Sequence, residues 1–291
     1  MNGILNINKP AGITSFDAVR IIKRTAKTKK VGHTGTLDPE ASGVLPVCIG
    51  KATKFVDYLM KEEKVYRVHL KLGIETDTYD REGKVLFTKD VDLSNETVEN
   101  TIRSFIGKIQ QIPPMYSALK VDGKRLYTLA RQGITIEREP REIEIFSIDN
   151  LKIELPDVFF DVKCSKGTYI RSLCHDIGEV LGCGGSMWEL TRISSGFFNI
   201  ENSVKLEELD ENNIDKFIIP VDKALWNYPA LNLEQKFESL LLNGVSLKDQ
   251  KVTTGLEKYV LYKVYINGES FIGLGEAGDN GFKLVKQFIE E

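Results

Sequence analysis

The residue with the clearest chemical potential is Asp38. It lies in the run Gly32-His33-Thr34-Gly35-Thr36-Leu37-Asp38-Pro39. Gly32 and Gly35 allow close backbone approach and unusual φ, and Pro39 pushes Asp38 toward extended geometry on a stiff loop. Such a carboxylate can serve as nucleophile or base, or simply cap a turn. Arg171 sits where CSKGTYIRSLCHDIG passes from a strand end through a glycine turn into a helix. A cation in a helix's first turn opposes the macrodipole by a few tenths to about 1 kcal/mol. That placement asks for a nearby anion, either a carboxylate or a phosphate. Asp38 is a candidate, held ionised by the guanidinium; a side chain pointing into water is the bland alternative. Tyr66 opens the apolar face of a strand, where its ring packs a core or walls a nucleobase pocket, because every base offers a π face. His33 reads as a hydrogen-bonded loop residue. The cluster Thr76-Asp77-Thr78-Tyr79-Asp80 resembles a carboxylate dyad but also suits the cap of a hairpin. No Walker loop, HExxH or GxSxG elbow occurs.

The elements that must position these residues can be read from periodicity. Thr14 and Asp17 form a capping-box pattern ahead of Phe16, Val19, Ile22 and Ala26, predicting a helix of about four turns with Arg20, Lys23, Arg24 and Lys27 outward. The glycine-punctuated run 31–50 reads as a loop followed by a buried strand near 44–49. Residues 64–72 alternate, with Tyr66, Val68, Leu70 and Leu72 on one face. A helix is predicted at about 95–106, between Ser94 as N-cap and Gly107 as C′ residue. Residues 117–132 suggest a short strand, a turn at Asp122-Gly123 and a basic helix ending at Gly133. Strands at 143–154 and 157–164 precede a helix at about 168–181. The stretch 201–228 is acidic and reads as a connector. Beyond it come a short helix with Phe237, Leu240 and Leu241, and a hairpin turning at Asn267-Gly268. A last strand, FKLVKQFI, follows. Mixed helices and hairpins without βαβα alternation favour an α+β class.

At 291 residues the chain suits one large domain, or one large and one small. A net charge of −3 and a pI near 5.8 argue, as averages, against a basic nucleic-acid binder. The charge is segregated, however. Residues 1–200 hold 29 Lys+Arg against 26 Asp+Glu, residues 201–228 hold 3 against 7, and residues 229–291 hold 7 against 9. Within 18–32 six basic side chains meet no acid, and within 116–141 Lys120, Lys124, Arg125, Arg131, Arg138 and Arg141 meet three acids. Such patches can bind phosphates on a mildly acidic molecule, although two solvated faces would look the same. No apolar h-region opens the chain and no 18-residue uncharged apolar run occurs, so secretion and membrane spanning are not expected. Four cysteines without a CxxC pair and three histidines make a zinc site of ordinary spacing improbable and point to free thiols in a reducing cytoplasm.

The motifs quoted so far resemble those of the bacterial TruB family of tRNA pseudouridine synthases. NINKPAGITS (6–15), GHTGTLDPEASGVLPVCIGKATK (32–54), KVYRVHLKLGIETDTYD (64–80) and CSKGTYIRSLCHDIG (164–178) carry the likeness. PPMYSALKVDGKRLYTLAR (113–131) and MWELTRISSGFF (187–198) extend it across nearly all of residues 3–200. FIGLGEA (271–277) more weakly resembles the glycine-containing strand of a small RNA-binding PUA module. The resemblance implies a mixed, mainly antiparallel central sheet flanked by helices over residues 1–228, with a mostly-β PUA-like module at 229–291. It implies that Asp38 is the catalytic aspartate, Arg171 its partner, and Tyr66 the ring stacked on the target uracil. His33 would intrude into the T loop, Tyr169 and Leu190 would line the uridine pocket, and Lys9 would support the active-site loop. Residues 116–141 would form an insertion clamping the T arm. Glu40 stands where the family often has Leu and is not expected to touch the base.

The implied reaction detaches uracil from C1′ of uridine 55, rotates it and rejoins it through C5, needing neither metal nor cofactor. Asp38 would act ionised, at uracil C6, at C1′ or on the 2′ proton. A cytoplasmic monomer acting on tRNA, without membrane or obligate protein partner, is expected. Two other classes fit parts of the sequence: a non-catalytic RNA-binding or chaperone protein, and a glycosidase using Asp38 with Asp77 or Asp80. The latter would need two carboxylates about 5–9.5 Å apart across a sugar.

Overall fold

The computed structural model describes residues 1–117, 119–121 and 123–288, with backbone alone for Lys120, Lys124 and Arg125. The predicted turn at Asp122-Gly123 and those three basic side chains therefore lie outside the described residues, as does the last residue of FKLVKQFI.

A mixed ten-stranded sheet organises the first two-thirds of the chain. Its main path runs Val204–Lys205, Gly3–Lys9, Ser42–Ile49, Gly185–Ser195, Lys64–Leu72, Asp157–Cys164, Arg141–Glu154, Gly107–Gln111. Val31–His33 pairs with Ser42–Ile49, and Phe198–Asn199 with Gly185–Ser195. Two of these pairings are parallel, Gly3–Lys9 with Val204–Lys205 and Ser42–Ile49 with Gly185–Ser195; the others are antiparallel. In Lys64–Leu72 the predicted alternation is realised: Tyr66, Val68, Leu70 and Leu72 are buried while Arg67 is exposed. Helices Ser15–Thr25, Asn95–Arg103 and Ile170–Leu181 supply Ala18, Val19, Ile22, Val98, Ile102, Leu173 and Ile177 to the core over this sheet. This is the α+β arrangement expected from the sequence.

Thr14 and Asp17 close the predicted capping box, and Ser94 accepts from the Thr97 amide as N-cap. Several local expectations change. The first helix has 11 residues, about three turns, and Phe16 points outward at 59% exposure, with the cations of Arg20 and Lys23 over its ring. The helix Asn95–Arg103 is capped by Ser104, so Gly107 is no C′ residue; it opens an unforeseen strand, Gly107–Gln111. The basic stretch after residue 116 folds as two short strands and a helix of 5 residues, Leu126–Ala130, with Gly133 in a left-handed turn. The acidic stretch 201–228 is more than a connector: Val204–Lys205 extends the sheet beside Gly3–Lys9, and Val204, Leu206 and Ile214 join the main core.

A second, four-stranded sheet holds Ala230–Leu233, Leu261–Ile266, Ser270–Gly278 and Gly281–Gln287. Its hairpin turns at Asn267 and Gly268, both at positive φ (52° and 76°), the geometry of a type I′ turn. One apolar cluster joins the two sheets: Leu274 and Phe288 pack with Val44, Ala52, Phe55 and Leu225. The Phe55 ring stands 6.1 Å from that of Phe271 and 6.0 Å from that of Phe288.

Candidate active site

Asp38 and Arg171, 133 positions apart in the chain, meet side chain to side chain. Arg171 Nε lies 3.0 Å from Asp38 Oδ2, and Nη2 donates to Asp38 Oδ1 at 3.2 Å. This is the two-point contact for which a planar guanidinium is suited. The Arg171 side chain is 8% exposed, whereas Asp38 keeps 36% of its side-chain surface open, so the carboxylate is gripped from below and accessible from above. Burial pushes the Asp38 carboxyl above its ordinary value, Arg171 pulls it back, Asp80 adds to the rise and Lys9 opposes it. The remaining Arg171 donors are occupied. Nη1 reaches Asp80 Oδ2 at 3.4 Å, and Nη2 donates to the carbonyl of Tyr116 at 2.8 Å, at the start of the basic stretch 116–141.

The loop carrying Asp38 is held from both ends. Lys9 is fully buried and donates from Nζ to the carbonyls of Pro10, Ile13 and Pro39 at 2.7, 2.8 and 3.0 Å. Burial lowers its pKa to about 8, with Glu40 and Asp38 opposing the fall. Ser15 Oγ exchanges hydrogen bonds with the backbone of Leu37, at 2.9 and 3.0 Å. Of the two loop glycines read as conformationally special, Gly35 is so, with φ +145°, while Gly32 is ordinary, its added Cβ meeting nothing nearer than 3.8 Å.

Tyr66 is 9% exposed, and burial raises its phenol further above neutrality, partly offset by Arg192. Leu190 pairs across strands with Val68, one alternation along from Tyr66 on the same face. Tyr169 is the N-cap position of the Arg171 helix; its amide donates to Gln111 Oε1 at 2.8 Å and its carbonyl accepts from Gln111 Nε2 at 3.1 Å. His33 ends the strand Val31–His33; its Nδ1 accepts from the Gly35 amide at 3.3 Å, and burial lowers its pKa, with Arg192 adding to the fall. The ring is thus a neutral imidazole at neutral pH.

Two contributors, Gln111 and Arg192, were not singled out from the sequence. Asp80 was read as part of a cluster that resembles a carboxylate dyad or caps a hairpin. Its Oδ1 does accept from Thr78 Oγ1 and the Glu82 amide, but its Oδ2 faces Arg171. Asp77 is the plain turn residue, accepting from the Lys84 amide at 2.8 Å. Gln111 pins the helix start, as described above. Arg192 is 1% exposed and donates to the carbonyls of Val44 and Gly35 at 2.7 and 3.1 Å, fixing the loop three residues before Asp38. The Arg192 backbone passes so close to Gly43 that a Cβ there would lie 2.3 Å from its carbonyl oxygen. Glu40 pairs with Arg81 at 2.9 Å.

Comparison with known proteins places the fold and the family. A crystal structure of a Cbf5–Nop10–Gar1 complex superposes with a TM-score of 0.76 at 29% identity, covering 99% of this chain and 84% of that one. The mixed sheet, its flanking helices and the smaller β sheet make up the pseudouridine synthase fold with an appended β module. Residues 23–170 match the model of the TruB family pseudouridylate synthase N-terminal domain, and residues 171–226 that of the tRNA pseudouridylate synthase B C-terminal domain. The tRNA pseudouridine synthase B of Clostridium kluyveri is 57% identical over 289 residues, 99% of this chain and all of that protein. Its namesake in Alkaliphilus oremlandii is 45% identical over 290 residues, 98% of this chain and 97% of its own. The chain belongs to the TruB family of pseudouridylate synthases.

Proposed function

We propose that this enzyme of tRNA pseudouridine synthesis acts on the uridine at position 55 of the T arm, with Asp38, Arg171 and Tyr66 as its catalytic residues. The observation that carries the reading is the Asp38–Arg171 contact: a carboxylate bound at two points by a buried guanidinium, with its free side open to a substrate. In the reaction the N1–C1′ bond breaks, a C5–C1′ bond forms, C5 loses a proton and N1 regains one, so no electrons are exchanged. Asp38 acts in its ionised form. Extruding the uridine from a folded loop costs a few kcal/mol, and stacking on Tyr66 returns roughly 1–3 kcal/mol. His33, as a neutral wedge, fills the place the base leaves; Tyr169 and Leu190 line the pocket, and Lys9 holds the loop.

Residues 1–228 form the catalytic domain in this reading. The insertion at 116–141 clamps the T arm, and 229–291 serve as a PUA-like RNA-binding module. The enzyme acts as a monomer in the cytoplasm, without a cofactor. Four buried cysteines without disulfides suit a reducing compartment. Among the described residues no helix is long and apolar enough to cross a membrane. Asp38 and Asp80 both engage the one Arg171 guanidinium, and Asp77 accepts from the Lys84 amide.

The deciding experiment is tritium release from C5-labelled uridine in a tRNA transcript. Asp38→Asn is expected to bind tRNA like the wild type and to release no tritium. Turnover by that variant would overturn the assignment, and release from a transcript with another base at position 55 would overturn the choice of site.

A further inference from the structure

A second cluster of chemically competent side chains lies on the same helix as Arg171, one turn further on. His175 and Glu179 are four residues apart on Ile170–Leu181 and so share a helical face. Glu75, on the short strand Ile74–Thr76, faces them. One ligand atom from each residue lies within 4.8 Å of the others. Glu75 Oε1 stands 3.8 Å from His175 Nδ1, too far for a hydrogen bond. Glu75 Oε2 and His175 Nδ1 are both cut off from solvent and have no hydrogen-bond partner. Leaving such a group unpaired costs about 1–3 kcal/mol. The ring of Tyr79, a residue held at φ +62°, stacks on His175 at 3.9 Å and 10° between planes, which fixes how the imidazole faces Glu75.

We propose that Glu75, His175 and Glu179 form a site for a divalent transition-metal ion of the zinc type. A cation with bonds of about 2.0–2.2 Å to imidazole nitrogen and carboxylate oxygen would satisfy both orphaned atoms at once. Closing the three donors around it needs only a modest approach of Glu75 to His175 and a new rotamer of Glu179, which is exposed. Two carboxylates and a neutral imidazole balance a charge of +2. One nitrogen donor among two oxygens suits Zn²⁺, Co²⁺ or Mn²⁺ better than Ca²⁺ or Mg²⁺, which prefer oxygen alone. Unlike a Cys/His set at ordinary spacing, this mixed set is assembled across a strand and a helix. The ion would tie Ile74–Thr76 to the helix bearing Arg171, and so brace the turn that presents Asp80 to Arg171. Its role would be structural, with no part in the bond exchange.

Full-length protein, dialysed against chelator, is titrated with Co²⁺ and followed by its visible d–d absorption and by thermal unfolding. A single equivalent is expected to saturate the signal, Zn²⁺ to displace it, and Zn²⁺ to raise the unfolding midpoint where Ca²⁺ does not. Glu179→Gln, a surface change that leaves the fold intact, is expected to weaken binding by about tenfold or more, and His175→Ala to abolish it. Failure to take up a stoichiometric ion would overturn the proposal. So would uptake that Glu179→Gln leaves unchanged, or an intense near-ultraviolet thiolate band marking cysteine ligation. None of these readouts depends on the reaction at Asp38.

Discussion

Asp38 illustrates how one environment can serve two opposed demands. In the proposed reaction its carboxylate must be ionised, yet burial and the neighbouring Asp80 raise its pKa, and Arg171 together with Lys9 oppose the rise. A carboxyl raised in the folded enzyme takes up its proton at higher pH than a free aspartate does. The acid limb of kcat is therefore expected above the ordinary value of 3.8. Asp80→Asn removes a like charge and should move that limb to lower pH, read from the pH profile of tritium release; a limb that stays put or rises would show that Asp80 acts on Arg171 alone. Arg171→Lys keeps the charge and loses the fork. The loss of one charge-assisted hydrogen bond, about 1.5–3 kcal/mol, predicts a fall in kcat/KM of roughly 10- to 100-fold. At this scale much of the site was legible: Asp38 from its glycine loop, Arg171 from its place at a helix start. Arg192 and Gln111 were not, because their importance lies in carbonyls and amides that only the tertiary fold brings near them.

Among the elements, legibility followed solvent. Lys64–Leu72 could be read because one face is buried and the other is not. Gly3–Lys9 is buried on both faces and shows no alternation. Gly185–Ser195 does not keep a period of two, since its pairing with Lys64–Leu72 shifts register between Met187 and Glu189 and again between Arg192 and Ser194. The stretch 201–228 read as a connector because it is acidic, with 3 Lys+Arg against 7 Asp+Glu, yet Ile214 is 1% exposed in the main core. Ile214→Ala should cost about 2–5 kcal/mol in urea unfolding; a change below 0.5 kcal/mol, the range of neutral surface substitutions, would mean that the stretch is only draped on the sheet. The terminal module is likewise no loose appendage. Removing 229–291 would expose Phe55, Ala52 and Leu225, so its effect on tRNA affinity must be measured alongside the stability of what remains.

Over the whole molecule, the net charge of −3 is a poor guide to RNA affinity because the two signs are segregated along the chain. The basic stretch 18–32 is partly neutralised at home: Arg20 pairs with Asp17, and Lys27 with Glu211 of the acidic stretch. Lys23 lies over the Phe16 ring, which leaves Arg24, Lys29 and Lys30, all exposed, to meet phosphate. Replacing these three with Ala should flatten the dependence of log Kd on log salt by roughly 0.7–0.9 for each that contacts a phosphate, while leaving kcat at saturating tRNA nearly unchanged. An unaltered slope would place the RNA elsewhere. The strand that carries Tyr66 has a different bearing on the molecule as a whole. It is hydrogen-bonded along its length on both edges, to Asp157–Cys164 and to Gly185–Ser195. Its amides can meet deuterium only when the sheet as a whole comes apart, so their exchange reports global rather than local opening. The stacking platform proposed for the base, Tyr66, therefore rides on the part of the protein that opens last.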